Sequence, residues 1–303
     1  MTPTSDRFVL PEQVETVEIP LASGVASVVR RHGNPDGARL LVSHGNGLAT
    51  DAYFPYWSLF LEDLEVVAFD CRNHGHNPLG PQGEHNPRVF AEDLDHAILP
   101  GVQEVFGEKP TVGCFHSLSA LVGLLLPSRG AEFSGLVLFD PPIYRPGIPQ
   151  QVFEEHLEAA AHMARIRATH FATVDDYVDT CAMSPLLAGV DRANLRLMAE
   201  AVLRPCADGP GYSLRCPPAY EAQAQEFIAA YAVLVDIEAM RCPVKVIGGD
   251  PTRTFSFLPS KHRKEMFQVD YDFVPDSTHY LQLQFPETCH DLTMQFLEGI
   301  GLV

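Results

Sequence analysis

The stretch Pro110-Thr111-Val112-Gly113-Cys114-Phe115-His116-Ser117-Leu118-Ser119-Ala120 decides how this chain is read. It has the form of an apolar strand, an abrupt turn carrying a serine, and the start of a helical run to Leu126. A serine at a strand-to-helix turn exposes its hydroxyl and points the following amide, that of Leu118, into the same space. Such a turn usually carries glycine two residues before and two after the serine. Phe115 and Ser119 stand there instead. Serine is also a common helix cap, so the stretch needs support from elsewhere in the chain.

Upstream, Val14 to Pro20 and Val25 to Arg31 read as two strands around the turn Ala22-Ser23-Gly24, an antiparallel hairpin at a sheet edge. Ala38 to Ser43 is a mostly apolar run, as in a strand buried on both faces, and it ends in His44-Gly45-Asn46-Gly47. Ala52 to Leu61 reads as a helix. Leu64 to Phe69 is another buried strand and runs into Asp70-Cys71-Arg72-Asn73-His74-Gly75-His76, a turn. Pro87 to Phe106 has helical spacing with Pro87 in its first turn. Gly135 to Phe139 is a strand ending in Asp140.

Strands alternating with helices imply a mostly parallel central sheet with helices on both faces, an α/β fold. The alternation stops between residues 143 and 240. Helical segments at Val152–Arg165, Val174–Cys181, Arg192–Leu203 and Ala219–Leu234 occur there, with no convincing strand among them. The expected organisation is a core of residues 1–142 and 241–303 with a helical cap at 143–240. Alternation resumes with strand Val244–Gly248, helix Pro259–Met266, strand Val269–Val274 and helix Leu281–Leu297.

Four further features bear on chemistry. The glycine-rich loop after Ser43 can present a backbone N–H, that of Asn46, to a substrate oxygen. The same loop, with Gly45-x-Gly47-x-x-Thr50 and Asp70 after the next strand, partly imitates a dinucleotide-binding fingerprint. Thr50 replaces its third glycine, and two strands precede a motif that usually opens its domain. Asp250, just beyond a strand, is the expected carboxylate partner of a histidine, preferred on chain order over Asp140, which also ends a strand. His279 is singled out among 13 histidines by its place between the last strand and the last helix. His116 is expected to point away from the serine. No HExxH occurs, and no metal or cofactor is expected.

Taken together, the pieces resemble an α/β-hydrolase with a cap domain. The matching residues are His44-Gly45-Asn46-Gly47, Asp70 to His76, the Ser117 turn, Asp250, and His279 followed by Phe285-Pro286-Glu287. The resemblance implies Ser117 as nucleophile, His279 as general base, Asp250 as its partner, and the amides of Asn46 and Leu118 as an oxyanion hole. It implies hydrolysis of a small to medium ester, lactone or thioester. The aromatic run Tyr53, Phe54, Tyr56 and Trp57 suggests an apolar substrate if it lines a pocket; it is core otherwise. Carbon–carbon cleavage of a diketone-like acid, with Arg72 or a cap arginine holding a carboxylate, is the enzymatic alternative. A silent binding protein on the same fold is the other.

Composition narrows the partners. The formal charge of -18 repels nucleic acid and anionic membranes. The seven cysteines are odd in number and scattered, as expected for reduced thiols in the cytoplasm. Met1 to Val9 shows no apolar signal segment, and no apolar run is long enough to span a bilayer. The expected partner is a small-molecule substrate. A homo-oligomer is compatible with the sequence.

Overall fold

The computed structural model describes residues 8–13, 15–22, 24–143, 149–253 and 270–303. The expected helix Pro259–Met266 lies outside them, as do Val14, Ser23 and Val269 of the expected strands and turn.

An eight-stranded sheet forms the centre. In chain order its strands are β1 (Glu15–Pro20), β2 (Ala26–Gly33), β3 (Arg39–Ser43), β4 (Glu65–Phe69), β5 (Thr111–His116), β6 (Gly135–Phe139), then β10 (Val244–Gly248) and β11 (Asp270–Phe273). Their spatial order is β1-β2-β4-β3-β5-β6-β10-β11. β1 and β2 pair antiparallel, as do β2 and β4, and the remaining neighbours are parallel. The apolar runs at β3, β4, β5 and β6 are buried along their whole length because helices cover both faces.

Around the sheet lie α1 (Phe54–Trp57), α2 (Pro87–Asp93), α3 (Leu99–Phe106) and α4 (Leu118–Leu124). The expected single helix over Pro87–Phe106 contains a π-helical turn at Leu94–Ile98. Pro100, two residues further on, has no N–H to donate and crowds the carbonyl four residues back, which a wider turn relieves. The C-terminal helix likewise divides, into α9 (Leu281–Gln284) and α10 (Pro286–Gly299). Phe285, before Pro286, leaves the helical region at φ -135 and ψ 60.

Residues 149–240 carry α5 (Gln150–Ile166), α6 (Val174–Ala182), α7 (Arg192–Val202) and α8 (Pro218–Ala232). The expectation of no strand here needs correction. β7 (His170–Phe171), β8 (Leu203–Pro205) and β9 (Tyr212–Leu214) form a small antiparallel sheet in the order β7-β9-β8. Pieces of two or three residues are too short for alternating polarity to show.

The aromatic run after the glycine-rich loop resolves toward core. Tyr53, Phe54, Tyr56 and Trp57 are all buried, Trp57 completely. Trp57 Nε1–H donates to the Thr50 carbonyl at 3.0 Å, and the Tyr56 hydroxyl meets Thr293 Oγ1 at 3.0 Å. All seven cysteines are free thiols. Among the described residues no helix is long and apolar enough to cross a membrane.

Candidate active site

The parallel strands bring the ends of β3, β5, β6 and β10 to one edge of the sheet, and with them His44–Gly47, Ser117, Asp140 and Asp250. Ser117 sits at the tight turn between β5 and α4 with φ 50 and ψ -111, a left-handed conformation that side chains rarely adopt. Its N–H donates to the Phe139 carbonyl at 2.9 Å, which ties the turn to the next strand.

The residues that replace the usual glycines are accommodated in two different ways. Phe115 is fully buried between the sheet and α4, edge-on to Phe69 and Phe133. Room for its ring comes from Gly113 and Gly123. A Cβ on Gly113 would lie 2.5 Å from the Phe115 ring, and one on Gly123 would lie 3.0 Å from it. The small residues have moved off the turn and under the phenylalanine. Ser119 instead stitches the turn: its Oγ accepts the His116 N–H and donates to the His116 carbonyl, both at 3.0 Å.

His279 reaches the serine. Its Nε2 lies 2.8 Å from Ser117 Oγ. Its Nδ1 lies 2.6 Å from Asp140 Oδ2, and Asp140 is fully buried. Asp140, not Asp250, is therefore the carboxylate at the histidine. The register explains why. Phe139 pairs with His116, so Asp140 follows its strand beside Ser117 on the adjacent strand. Asp250 lies one strand further out, beyond Ile247, which pairs with Phe139. Its oxygens are taken up locally. Oδ1 accepts from the Thr252 hydroxyl at 2.6 Å and the Thr252 N–H at 2.8 Å, and Oδ2 accepts from the Asp276 N–H at 2.8 Å. The Thr252 hydroxyl, with help from these amides, holds its carboxyl below the usual range. Asp250 thus fastens the loop that carries His279 without touching the imidazole's carboxylate position.

A second chain of hydrogen bonds supports His279 from behind. The Gly45 N–H donates to the Tyr53 hydroxyl at 3.1 Å, and that hydroxyl meets His116 Nδ1 at 2.7 Å. With Tyr53 donating, His116 carries its proton on Nε2 and gives it to the His279 carbonyl at 2.8 Å. The His116 and His279 rings lie 4.6 Å apart. Burial pushes the His116 imidazole well below its ordinary range, so it stays neutral. Reading the strand direction placed His116 away from the serine but gave no sign of its contact with His279. Neither Tyr53 nor His116 has a sequence signal for this role, because the partners are far apart in the chain.

The glycine-rich loop is fixed by buried imidazoles. His44 Nδ1 binds the Gly45 carbonyl at 2.8 Å and its Nε2 accepts the Cys71 N–H at 3.0 Å. His74 Nδ1 binds the Arg72 carbonyl at 2.9 Å and its Nε2 accepts the Gly47 N–H at 3.1 Å. Among the described residues the N–H groups of Asn46 and Leu118 have no hydrogen-bond partner. The Leu118 amide stands in the first turn of α4, where no intrahelical acceptor exists. Leu118 follows Ser117 directly, and a Cβ on Gly45, the neighbour of Asn46, would lie 3.3 Å from Ser117 Cβ, so both unpaired amides belong to segments at the serine.

The alternative ligands of the sequence fare differently. Asp70 is spent on the Thr50 N–H at 2.8 Å, the His76 N–H at 3.0 Å and Arg30, and has no oxygen to offer a ribose. Arg72 is held in a fork by Asp93 and by Glu84. His74, His85 and Cys216 bring their ligand atoms within 4.8 Å of one another. Their protons do not suit a cation, however. The Asn73 Oδ1 accepts the Gly80 N–H at 2.6 Å, so its amide nitrogen faces His85 Nδ1 at 3.0 Å. That leaves the His85 proton on Nε2, the atom that would have to ligate.

A serine at a tight strand-to-helix turn, a histidine and a buried aspartate meet at the C-terminal edge of a mostly parallel sheet, an architecture that defines a class of fold. The comparisons place the chain within it. A model of the alpha/beta hydrolase family matches residues 40–292, and the chain belongs to that family. No curated protein matches it in sequence. Among solved structures it is similar to E-2-(acetamidomethylene)succinate hydrolase, 17% identical over 94% of this chain and 100% of that one, with a TM-score of 0.73. It is similar to a thermophilic esterase from Thermogutta terrifontis, 18% identical over 95% of this chain and 99% of that one, TM-score 0.66. An alpha/beta hydrolase from Novosphingobium aromaticivorans is 17% identical over 96% and 99%, TM-score 0.70. At these identities the likeness is one of fold.

Proposed function

We propose that the protein is a serine hydrolase that cleaves a carboxylic ester, lactone or thioester through an acyl-enzyme. Ser117 attacks the carbonyl while His279 Nε2 takes its proton. Asp140 holds the imidazole in the tautomer that leaves Nε2 free to do so. The developing oxyanion is held by the amides of Asn46 and Leu118. His279 returns the proton to the leaving group, and water, deprotonated by the same imidazole, releases the acid. The observation that carries this reading is the unbroken contact from Ser117 Oγ through His279 to buried Asp140, 2.8 and 2.6 Å.

The core of residues 1–142 and 241–303 supplies this machinery. Residues 143–240 act as a cap, since α8 lies against the glycine-rich loop through the Asn46 Nδ2 contact to the Glu221 carbonyl, 2.8 Å. The buried aromatic run no longer argues for an apolar substrate. A silent binding protein would not need the assembled contacts. Seven free cysteines support a reducing, cytoplasmic setting. The test is hydrolysis of short p-nitrophenyl esters by the wild type, with Ser117→Ala and His279→Ala at background. Turnover by Ser117→Ala equal to that of the wild type refutes the assignment.

A further inference from the structure

We infer that Arg167 and Glu221, both in the 143–240 insertion, form a recognition subsite for a carboxylate on the substrate's acyl side. This inference rests on the hydrolase reading above for the position of the reacting carbonyl. Arg167 Nη1 donates to Glu221 Oε2 at 2.5 Å and Nη2 to the Tyr177 hydroxyl at 3.3 Å. Their side chains are 25% and 15% exposed, so the pair is half-buried. Its location is specific. A Cβ on Gly47, which adopts φ +72, would lie 2.7 Å from the Glu221 carboxyl carbon. Gly47 is the neighbour of Asn46, whose amide is the proposed oxyanion donor. Tyr280, next to His279, lies close enough to feel both charges.

A half-buried ion pair adds little net stability, whether set against solvated charges or against apolar residues of similar volume, so stability alone does not account for it. The pair also leaves donors in reserve. A guanidinium has five N–H donors in a planar fork; Glu221 takes one on Nη1 and the Tyr177 hydroxyl one on Nη2, which leaves Nε–H and the second hydrogens of Nη1 and Nη2. The remaining fork suits a second carboxylate in two-point contact. Burial pushes the Glu221 carboxyl up from its ordinary range, against the opposing pull of Arg167. Arg72, by contrast, has all three of its guanidinium nitrogens on Asp93 and Glu84. The geometry therefore favours an acyl chain ending in a carboxylate, as in a monoester of a short dicarboxylic acid, over a neutral acyl chain of equal length.

Opposite substitutions at the two residues test this. The substrates are p-nitrophenyl hemiglutarate and p-nitrophenyl valerate, and the reading is the ratio of their kcat/KM values. The wild type is expected to favour the charged ester by tenfold or more. Arg167→Gln should lower the ratio by about 30- to 100-fold, the loss of a charge-assisted two-point contact. Glu221→Gln removes the competing anion and keeps the backbone contact to Asn46, and it should raise the ratio at least threefold. A wild type without preference, a ratio within threefold in Arg167→Gln, or a fall in both variants overturns the subsite. Binding of monomethyl glutarate to Ser117→Ala by calorimetry, against the same variant with Arg167→Gln added, reads the subsite without turnover. Tighter binding that depends on Arg167 supports it, and equal binding overturns it. Failure of the hydrolase reading shows separately, as neither ester being cleaved.

Discussion

Replacing Asp140 by asparagine should cost the protein nearly all of its activity, while the same change at Asp250 should cost stability instead. Asp140 is fully buried and its Oδ2 meets His279 Nδ1 at 2.6 Å. Its other oxygen accepts the Gly249 N–H at 3.4 Å. In Asp140→Asn the amide oxygen stays toward Gly249, so the NH2 group faces His279. Nδ1 must then accept, the imidazole proton moves to Nε2, and Ser117 faces a donor in place of a base. A wrong tautomer of this kind lowers kcat by about ten-thousand-fold, or ~5 kcal/mol of activation free energy. In Asp250→Asn one oxygen becomes an NH2 group, and either Thr252 or the Asp276 N–H loses its acceptor. Such a loss costs about 1–3 kcal/mol of stability. Activity should fall less than tenfold, since His279 keeps Asp140. Steady-state kinetics on a p-nitrophenyl ester, with urea unfolding of each variant, separate the two. A kcat for Asp140→Asn within tenfold of wild type, or a loss in Asp250→Asn as large as that in Asp140→Asn, would refute the reasoning.

Further outcomes follow from the same contacts. Gly113→Ala places a methyl 2.5 Å from the Phe115 ring and 2.7 Å from Leu136. It should destabilise by about 1–3 kcal/mol, and adding Phe115→Leu should recover part of that in denaturant titrations. Tyr53→Phe breaks the relay from Gly45 to His116; kcat should fall about tenfold with stability lower by ~1–3 kcal/mol, measured by kinetics and thermal unfolding. Stability should also depend on pH. Burial lowers the His85 imidazole to about 3 and that of His32 to about 4. The folded protein keeps both neutral while the unfolded chain takes up protons below its ordinary value of about 6.5. Their contribution is thus complete above that value and is lost as pH falls toward 4, by up to a few kcal/mol each. Thermal midpoints between pH 7 and 4 check this, and His85→Gln should flatten the profile.

The sheet was legible because its strands are buried apolar runs with turn residues between them, and a period-two or unbroken pattern needs no tertiary knowledge. That Ser117 and His279 come together was legible from their places at strand ends. Which carboxylate meets His279 was not, since Asp140 and Asp250 both follow strands and only the pairing of Phe139 with His116 puts the former beside the serine. The fit of Phe115 was hidden for a related reason: Gly113 and Gly123 look like ordinary strand and helix glycines until the ring is seen against them. Tyr53, His116 and the Arg167–Glu221 pair depend on contacts between distant segments. The small β7-β9-β8 sheet escaped because its strands are too short to show a pattern.

The central claim is that Ser117 is an activated nucleophile, and covalent labelling tests it most directly. A fluorophosphonate should add once to the folded wild type, with the modified peptide carrying Ser117, and should leave Ser117→Ala unmodified. A folded wild type that takes up no label, or a Ser117→Ala variant that labels equally, would contradict it.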